Sequence, residues 1–361
     1  MNRINKIKQL SICDAYLIVS EVNRFYLSGY RTSYGYILIT NDQVFYLTDY
    51  RYYEEAVSVL SGKDIAVVAG NDAKVKSKLA EVINSYNIKT LGFEANRVTY
   101  DDYMQLKQLF SSFGDGLTPK LFDFGEKLDM IRVIKEDSEI DSIAKAQQIT
   151  DKAFSKILGF IKPGLTEREI CNELNHQMML SGAESIAFDT IIASGNNSSR
   201  PHSGVSNKKV ASGEFITMDF GAKVNGYCSD MTRTVALGKV SDEMVTVYNA
   251  VLKAQQVSIN AYKEHVSCKE AFTIAKTCLQ TSGGYGDYFI HGLGHGVGLE
   301  IHEYPGINSV SDSLLLPGMV VSVEPGVYLE NKFGVRIEDL IVIKENGIKN
   351  LTASDKQLIT L

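Results

Sequence analysis

Residues 216–235, ITMDFGAKVNGYCSDMTRTV, form two β-prone runs joined by Asn225-Gly226. Asn-Gly between alternating apolar runs is a strong hairpin signal, because a type I′ turn needs a positive φ at both central residues. If these two residues form the loop, counting outward along the two runs places Asp230 opposite Gly221. The stretch therefore predicts a β-hairpin with a defined register.

The hairpin brings two acidic side chains together. Asp219 is two residues from Gly221 and shares its face of the strand. Asp219 and Asp230 are then diagonal neighbours with Cβ atoms about 7–8 Å apart. Two converging like charges repel each other unless a cation lies between them. The hairpin alone predicts half of a metal site.

Length and composition limit the class of protein. A chain of 361 residues predicts two domains, and a net charge of −6 gives no reason to expect a nucleic acid partner. No apolar run approaches the roughly 20 residues of a spanning helix, and the N-terminus does not resemble a signal peptide. We expect neither a membrane partner nor a disulfide framework, but a cytoplasmic protein with reduced, scattered thiols. The five cysteines are Cys13, Cys171, Cys228, Cys268 and Cys278.

The first part of the chain alternates strand and helix patterns, which predicts an α/β domain with a mixed or parallel sheet. It contains neither a GxGxxG nor a GxxxxGK[ST] phosphate-binding motif. Segment 118–126, with Pro119 and Gly125, is the predicted boundary, so we expect domains at 1–128 and 129–361. Strands are predicted over 15–19, 36–40, 44–48, 65–68 and 90–93, helices over 51–60, 74–86 and 100–113, and a short helical or turn segment over 22–30.

Beyond the boundary the pattern changes to longer helices with strands between them. Capping-box sequences begin at Thr166 and Ser267. These features predict an α+β domain in which helices cover one curved, mostly antiparallel sheet. Helices are predicted over 137–160, 166–182, 242–263 and 267–283, and strands over 188–193, 215–220, 227–235, 320–324 and 335–344.

Three of the six histidines in the chain fall within residues 291–302, HGLGHGVGLEIH. The four glycines among them exclude a stable helix and allow the backbone to approach a ligand closely. A single histidine is more often structural than functional, but this concentration favours a functional site. The three residues are His291, His295 and His302.

Two further carboxylates lie in apolar surroundings. Glu324 ends a β-branched run before Pro325, and Glu338 lies inside an apolar strand, on the same face as Arg336. A buried ion pair alone is weak evidence for stability. We therefore expect Glu338 to be a functional carboxylate oriented by Arg336, and Asp339 to be structural.

The combined charge points to two cations. Asp219, Asp230, Glu324 and Glu338 would bring four negative charges together, with a neutral His295 beside them. Two divalent ions would neutralise this set, and oxygen ligands with one imidazole suit Mn²⁺, Co²⁺, Fe²⁺ or Zn²⁺. Two ions about 3.5–4 Å apart form a hydrolytic centre.

These motifs resemble those of the M24 "pita-bread" metallopeptidases, and among them the Xaa-Pro branch of aminopeptidase P and Xaa-Pro dipeptidase (prolidase). The resemblance covers essentially the whole chain, including a creatinase-like N-terminal domain, and all five ligand positions match. The motifs are DFG-x₈-D from Asp219 to Asp230, GHGVGLEIHE at 294–303, EPG from Glu324 and RIED from Arg336.

The resemblance implies a role for each residue. Asp230 and Glu338 would bridge two metal ions, Asp219 would complete one coordination sphere, and His295 with Glu324 the other. Beyond the ligands, the residues expected to contact substrate, the tetrahedral intermediate or the ligands themselves are His202, His291, His302 and Arg336, with Tyr328 lining the site.

The implied function is metal-dependent hydrolysis of the bond between an N-terminal residue and a following proline, in dipeptides or longer peptides. A metal-bridging hydroxide would attack the carbonyl, one metal and His302 would stabilise the oxyanion, and Glu324 would carry the proton to the leaving nitrogen. The expected cofactor is a pair of divalent ions, Mn²⁺ first, with Co²⁺, Zn²⁺ or Fe²⁺ as alternatives. The expected partners are a proline-containing peptide and a second copy in a homodimer.

Three alternatives stay open at this point. Methionine aminopeptidases share the five ligands but usually lack an N-terminal domain of this kind. Creatinase-type amidinohydrolases share the two-domain layout without the metal set. A non-catalytic peptide-binding relative on the same fold would be expected to have lost ligands. No motif distinguishes a dipeptidase from an aminopeptidase.

Overall fold

The computed structural model describes residues 3–71, 74–111, 118–263 and 265–361. The chain divides into two compact units, Met1–Ile131 and Arg132–Leu361. The boundary predicted between residues 128 and 129 falls within helix α6 (Gly125–Val133). None of the helices in the described ranges is long and apolar enough to span a lipid bilayer.

The first unit is built on one mixed sheet with the strand order β4-β3-β2-β1-β5-β6. β1 pairs antiparallel with β2 and β2 with β3, whereas the β3/β4, β1/β5 and β5/β6 pairs are parallel. The prediction of a mixed sheet is therefore confirmed. Its strands are β1 (Ala15–Ile18), β2 (Tyr36–Thr40), β3 (Val44–Asp49), β4 (Ile65–Gly70), β5 (Thr90–Phe93) and β6 (Lys120–Asp123). Its other helices are α1 (Arg3–Lys8), α2 (Glu21–Ser28), α3 (Tyr50–Leu60), α4 (Val75–Ser85) and α5 (Tyr100–Ser111).

Two predictions in this unit need comment. Segment 118–126, interpreted as the boundary, contains β6 (Lys120–Asp123), which pairs with β5. Pro119 and Gly125 lie on either side of this strand and are typical of loops and linkers, so the sequence favoured a boundary over a strand there. Residues 112 and 113, the end of the predicted helix 100–113, lie outside the described residues.

All four long helices predicted for the second unit are present. Thr166 caps its helix with the predicted capping box, in which its side chain bonds the Glu169 backbone and the Glu169 side chain bonds back. Ser267 accepts a hydrogen bond from the backbone N–H of Glu270. The helices are α7 (Asp137–Ile157), α8 (Glu167–Leu180), α9 (Asp242–Ala261) and α10 (Cys268–Thr281).

The strands of the second unit pair antiparallel, as predicted, but they form several small sheets rather than one. The sheets have the orders β11-β10-β7, β12-β9-β8, β14-β13-β15-β18-β19 and β16-β17. The strands are β7 (Ser185–Ile186), β8 (Ile191–Ser194), β9 (Glu214–Phe220), β10 (Ala222–Val224), β11 (Tyr227–Cys228), β12 (Met231–Leu237), β13 (Gly294–Gly296), β14 (Glu303–Ile307), β15 (Val320–Val323), β16 (Gly326–Leu329), β17 (Phe333–Arg336), β18 (Asp339–Lys344) and β19 (Gly347–Asn350).

Two of the predicted strands are each interrupted at a candidate metal ligand. The strand predicted over 227–235 is interrupted at Asp230, and the strand predicted over 335–344 is interrupted at Glu338. A residue that is not paired in the sheet does not follow the alternation of side chains between the two faces of the strand. Alternation of apolar residues does not reveal such a break, which is why the sequence predicted continuous strands.

Candidate metal centre

The hairpin at the start of the site has the predicted turn and register. Asn225 and Gly226 have φ values of 50° and 80°, the positive values that the turn requires. The inner pairs include Val224 with Tyr227, and the outer pairs include Asp219 with Thr232. Both pairs belong to one continuous register, in which Asp230 stands opposite Gly221, as predicted.

Gly221 is required at its position because the two chains approach closely there. A Cβ atom on Gly221 would lie 2.0 Å from the carbonyl oxygen of Ser229. The backbone N–H of Ala222 donates to Ser229 Oγ at 2.9 Å, and Ser229 N–H donates to the Ala222 carbonyl at 2.9 Å. This pairing closes the gap between the two strand pairs and holds Asp230 at the site.

The candidate ligands from distant parts of the chain meet at this hairpin. His295 Nε2 lies 3.6 Å from Asp230 Oδ2 and 3.3 Å from Glu324 Oε1. Asp230, His295 and Glu338 each present a ligand atom within 4.8 Å of the others. Asp230 and Glu338 are almost fully buried, with 4 % and 1 % of their surfaces exposed.

Two carboxylate oxygens at this point are buried and lack a hydrogen-bond donor. They are Asp219 Oδ1 and Glu338 Oε1, and no donor to either is found among the described residues. A buried carboxylate oxygen without a donor costs free energy unless a cation contacts it. The donor set, four carboxylates and one imidazole, therefore fits divalent metal ions.

The backbone holds His295 in the form that a metal requires. Its Nδ1–H donates to the Gly296 carbonyl at 3.1 Å, so that Nε2 is the nitrogen that faces the acidic cluster and would bind a metal ion in the neutral form of the ring. Ser322 Oγ accepts from the His295 backbone N–H at 3.1 Å and donates to Glu324 Oε1 at 3.2 Å. One serine thus fixes both ligands.

The pKa values of the carboxyl groups diverge. Burial raises the pKa of Asp230 well above its ordinary value, and the Glu338 carboxylate raises it further. Burial likewise raises the pKa of Glu338, with Glu324 and Asp219 adding to the effect. Burial also acts to raise the pKa of Glu324, but the hydrogen bond and charge of His295 outweigh it and lower that pKa to about 2. Burial and like charges account for the two raised pKa values, and the neighbouring imidazole accounts for the lowered one.

Arg336 donates hydrogen bonds to several groups at the site. Its Nη2 donates to Asp219 Oδ2 at 2.7 Å, and its Nη1 donates to Tyr328 Oη at 2.9 Å. Its Nε donates to Thr232 Oγ1 at 3.0 Å, and Thr232 Oγ1 donates to Glu338 Oε2 at 2.7 Å. Arg336 is therefore connected to Glu338 through the hydroxyl of Thr232 and not by a direct bond.

Thr232 is the residue at the site that sequence reasoning missed. Its signal was present in the hairpin register, which places Thr232 directly opposite Asp219. The residue type did not indicate a functional role, because threonine is common in strands.

The histidines at the site have different surroundings. Tyr328 Oη donates to His291 Nε2 at 2.8 Å, and His291 Nδ1 lies 2.7 Å from the Gly292 carbonyl. The imidazole of His302 packs edge-on against His295 with ring centroids 4.3 Å apart. Burial lowers the pKa of both His291 and His302, which favours their neutral forms.

A cavity of about 270 Å³ opens above these groups. It is lined by His202, His291 and His302, together with the candidate ligands. An apolar part of the lining comes from Phe188, Ile191, Pro201 and Ile301. Nine of the residues predicted from the sequence line this cavity: Asp219, Asp230, His295, Glu324, Glu338, His202, His291, His302 and Arg336. Tyr328, which was also expected to line the site, is not among the lining residues and instead bonds to His291 and Arg336. Asp339 lies apart, buried in contact with Arg233 and Lys356.

Comparison with known proteins gives matches over both parts of the chain. Residues 141–345 match the model for metallopeptidase family M24, and residues 2–134 match the creatinase/prolidase N-terminal domain. The chain is 36 % identical to an Xaa-Pro dipeptidase of Pyrococcus furiosus, over 99 % of both sequences.

Solved structures give the same picture. A structure of an Xaa-Pro dipeptidase from Bacillus anthracis is 39 % identical, with a TM-score of 0.92, and the match covers 99 % of this chain and 98 % of the other. An X-Pro aminopeptidase from Thermotoga maritima is 35 % identical, with a TM-score of 0.90, and the match covers 99 % and 100 % of the two chains. The predicted fold, a creatinase-like domain followed by a pita-bread domain, is thereby confirmed.

Proposed function

The chain belongs to the Xaa-Pro branch of metallopeptidase family M24, and we propose that it hydrolyses the peptide bond between an N-terminal residue and a following proline, in dipeptides and in longer peptides. The observation that carries this proposal is the pair of buried oxygens without a donor among the described residues, Asp219 Oδ1 and Glu338 Oε1, at the wall of a cavity lined by four histidines. A retained metal-binding set of this kind speaks against a non-catalytic binding module.

The five candidate ligands would hold two divalent ions. The ligand atoms would come from four carboxylates and one imidazole, those of Asp219, Asp230, Glu324, Glu338 and His295. When bound, such ions lower the pKa of water and polarise a carbonyl group. Mn²⁺ is our first candidate, because carboxylate oxygens dominate the set.

The protein side chains supply the remaining steps. Glu324, whose pKa is lowered to about 2, is ionised at neutral pH and can take a proton from the attacking water and pass it to the proline nitrogen. His302 lines the cavity with a lowered pKa, so its neutral imidazole can donate an N–H to the carbonyl oxygen as negative charge develops. His202 and His291 line the cavity and would position the peptide.

The lining of the cavity fits a prolyl peptide in two respects. Phe188, Ile191 and Ile301 offer apolar surface to a pyrrolidine ring or an apolar side chain. Among the described residues that line the cavity, Arg336 is the one lysine or arginine, and it already donates to Asp219, Thr232, Tyr328 and Pro201. A terminal carboxylate close to the metal centre would thus meet no uncommitted lysine or arginine among these described residues, which supports action on peptides that continue beyond proline.

Two further properties belong to the same proposal. A homodimer is expected, and its mass in solution can be measured by light scattering. A cytoplasmic location is supported by five cysteines that form no disulfide.

The deciding experiment combines chelation with a substrate panel. After chelation and restoration with Mn²⁺, the enzyme should cleave Ala-Pro and Ala-Pro-Pro, whereas Met-Ala-Ser should be a poor substrate. Glu324→Ala should abolish turnover with added Mn²⁺, whereas the exposed Glu330→Gln should retain it. Activity on Met-Ala-Ser alone would indicate a methionine aminopeptidase. Absence of bound or stimulating metal would favour a binding module instead.

A further inference from the structure

Glu167 is a fully buried carboxylate outside the metal centre, with none of its surface exposed. It is the first residue of α8 (Glu167–Leu180), but its side chain bonds to a different part of the chain. That part is residues 194–206, the His202 segment, which begins at the end of β8 and includes the 3₁₀ helix Gly195–Ser199. His202 and Pro201 from this segment line the metal cavity.

The two carboxylate oxygens of Glu167 fasten both ends of the His202 segment. Oε1 accepts from the backbone N–H and the hydroxyl of Ser194, at 2.7 and 2.8 Å, and from Asn197 Nδ2 at 3.0 Å. Oε2 accepts from the hydroxyl and the backbone N–H of Ser206, at 2.6 and 3.3 Å. One side chain therefore closes a loop of thirteen residues (194 to 206) whose middle carries His202.

The charge of Glu167 is stabilised by neutral donors. In the described part of the chain its donors are backbone N–H groups, serine hydroxyls and one amide. The nearby ammonium of Lys208 donates to Ser194 Oγ at 3.0 Å and to Glu214 Oε2 at 2.7 Å. A buried carboxylate held by several donors fixes their positions strongly, because each lost bond would leave a buried charge less solvated.

The His202 segment also contacts the residues beneath the metal centre. Ser198 Oγ accepts from the Gly334 backbone N–H at 2.9 Å, and a Cβ atom on Gly334 would lie 2.1 Å from the Ser198 carbonyl oxygen. The Pro201 carbonyl accepts from Arg336 Nη1 at 3.3 Å. The segment is thus fixed at its ends by Glu167 and near its middle by the strand that carries Arg336.

We propose that Glu167 is a positioning residue that sets the location of His202 in the substrate cavity. Glu167 is not among the residues that line the cavity, and in the described part of the chain its side-chain hydrogen bonds go to the His202 segment. The effect of Glu167 on catalysis rests on the function proposed above. The placement of His202 is a structural statement that can be tested without turnover.

The test variant is Glu167→Gln. Glutamine keeps the size of the side chain, but its N–H₂ group would face hydrogen-bond donors that the carboxylate oxygen accepted from. Glu169→Gln is the matched control, because Glu169 lies on the same turn of α8, is exposed, and bonds only within its own capping box. Glutamine is also accepted at that capping-box position.

The first readout is independent of activity. In the Zn²⁺-loaded full-length chain labelled at histidine ¹³Cε1, His202→Ala identifies the His202 signal among six. Glu167→Gln should shift or broaden that signal and leave those of His291 and His295 in place, whereas Glu169→Gln should change none of them. An unchanged His202 signal in Glu167→Gln overturns the proposal.

The second readout is a double-mutant cycle on Ala-Pro-Pro. Glu167→Gln should lower kcat/KM about 100-fold, the scale expected for a displacement of about 1 Å at an active site. In the His202→Ala background the same change should have less than a tenth of that effect. An equal loss in both backgrounds would show a general structural role and overturn the proposal.

If Glu167→Gln does not fold, Ser206→Ala removes one donor and must show the same dependence on His202, or the proposal fails. A wild-type enzyme that cleaves no prolyl peptide would refute the proposed function, while the histidine spectra would still decide the placement of His202.

Discussion

Arg336 forms its ion pair with Asp219, at 2.7 Å, although Glu338 lies only two residues away on the same stretch of chain. The strand breaks between Arg336 and Asp339, so the alternation that would place Arg336 beside Glu338 is lost. Arg336 reaches Glu338 through the hydroxyl of Thr232. A single guanidinium thereby orients carboxylates from two separate parts of the chain.

Arg336→Lys should lower metal affinity and kcat/KM by about 10–100-fold, the range typical of groups that orient metal ligands. A lysine cannot reproduce the planar fork that bonds Asp219, Tyr328 and Thr232 at once. Isothermal titration with Mn²⁺ measures the affinity, and Arg51→Lys, at an exposed arginine paired with Asp49, is the control. Equal affinity in the two variants would contradict this account of Arg336.

Thr232→Val should weaken Mn²⁺ binding about tenfold or more with little change in shape, because both Glu338 Oε2 and Arg336 Nε lose their partner. The control is Thr217→Val, a buried threonine of the same sheet whose hydroxyl bonds, among the described residues, to that of Thr234. Titration of the two variants side by side gives the result. If the control weakens metal binding as much, the loss comes from the sheet and not from the link to Glu338.

Chelation should destabilise the protein more at pH 7.5 than at pH 5. The pKa values of Asp230 and Glu338 are raised in the folded chain, so the folded state holds protons that the unfolded state has released above about pH 4. The stability they contribute is complete below that pH and is lost as pH rises through their folded pKa values. The pKa of Glu324 is lowered, and its contribution is lost only as pH falls toward 2, outside this window.

Melting temperatures of chelated and Mn²⁺-loaded protein at the two pH values measure this effect. The chelated double variant Asp230→Asn with Glu338→Gln should melt above the chelated wild type at pH 7.5, because two buried charges are removed. A lower melting temperature for that variant would contradict the assignment of repulsion to this pair.

Arg233→Met should lower the free energy of unfolding by about 3–5 kcal/mol, since it leaves a buried carboxylate with one partner fewer. Arg233 is almost fully buried and pairs with Asp339 at 2.8 Å, and it also donates to the carbonyls of Ser354 and Asp355. Urea unfolding measures the change, with the exposed Lys332→Met, which removes a surface pair with Glu243, as the control. Exposed pairs contribute at most about 1 kcal/mol, so a similar loss in both variants would refute the argument.

Local order in this protein was largely predictable from its sequence. The turn at Asn225 and Gly226, the register that opposes Asp230 to Gly221, and the capping box at Thr166 follow from interactions over a few residues. The short strand Lys120–Asp123 was not predictable, because it is stabilised by its neighbour in the sheet rather than by its own pattern.

The sequence by itself indicated that the four carboxylates and the glycine-flanked histidines gather at one site, because charge and glycine content are unsuited to an ordinary core, whereas His202 was expected from the family resemblance. Only the tertiary structure decided how they are connected: Arg336 to Asp219, Thr232 to Glu338, and Glu167 to the segment that carries His202. These bonds join residues far apart in the chain, at positions where regular strands break or a helix begins. Their geometry depends on packing across the whole unit, and no local pattern encodes it.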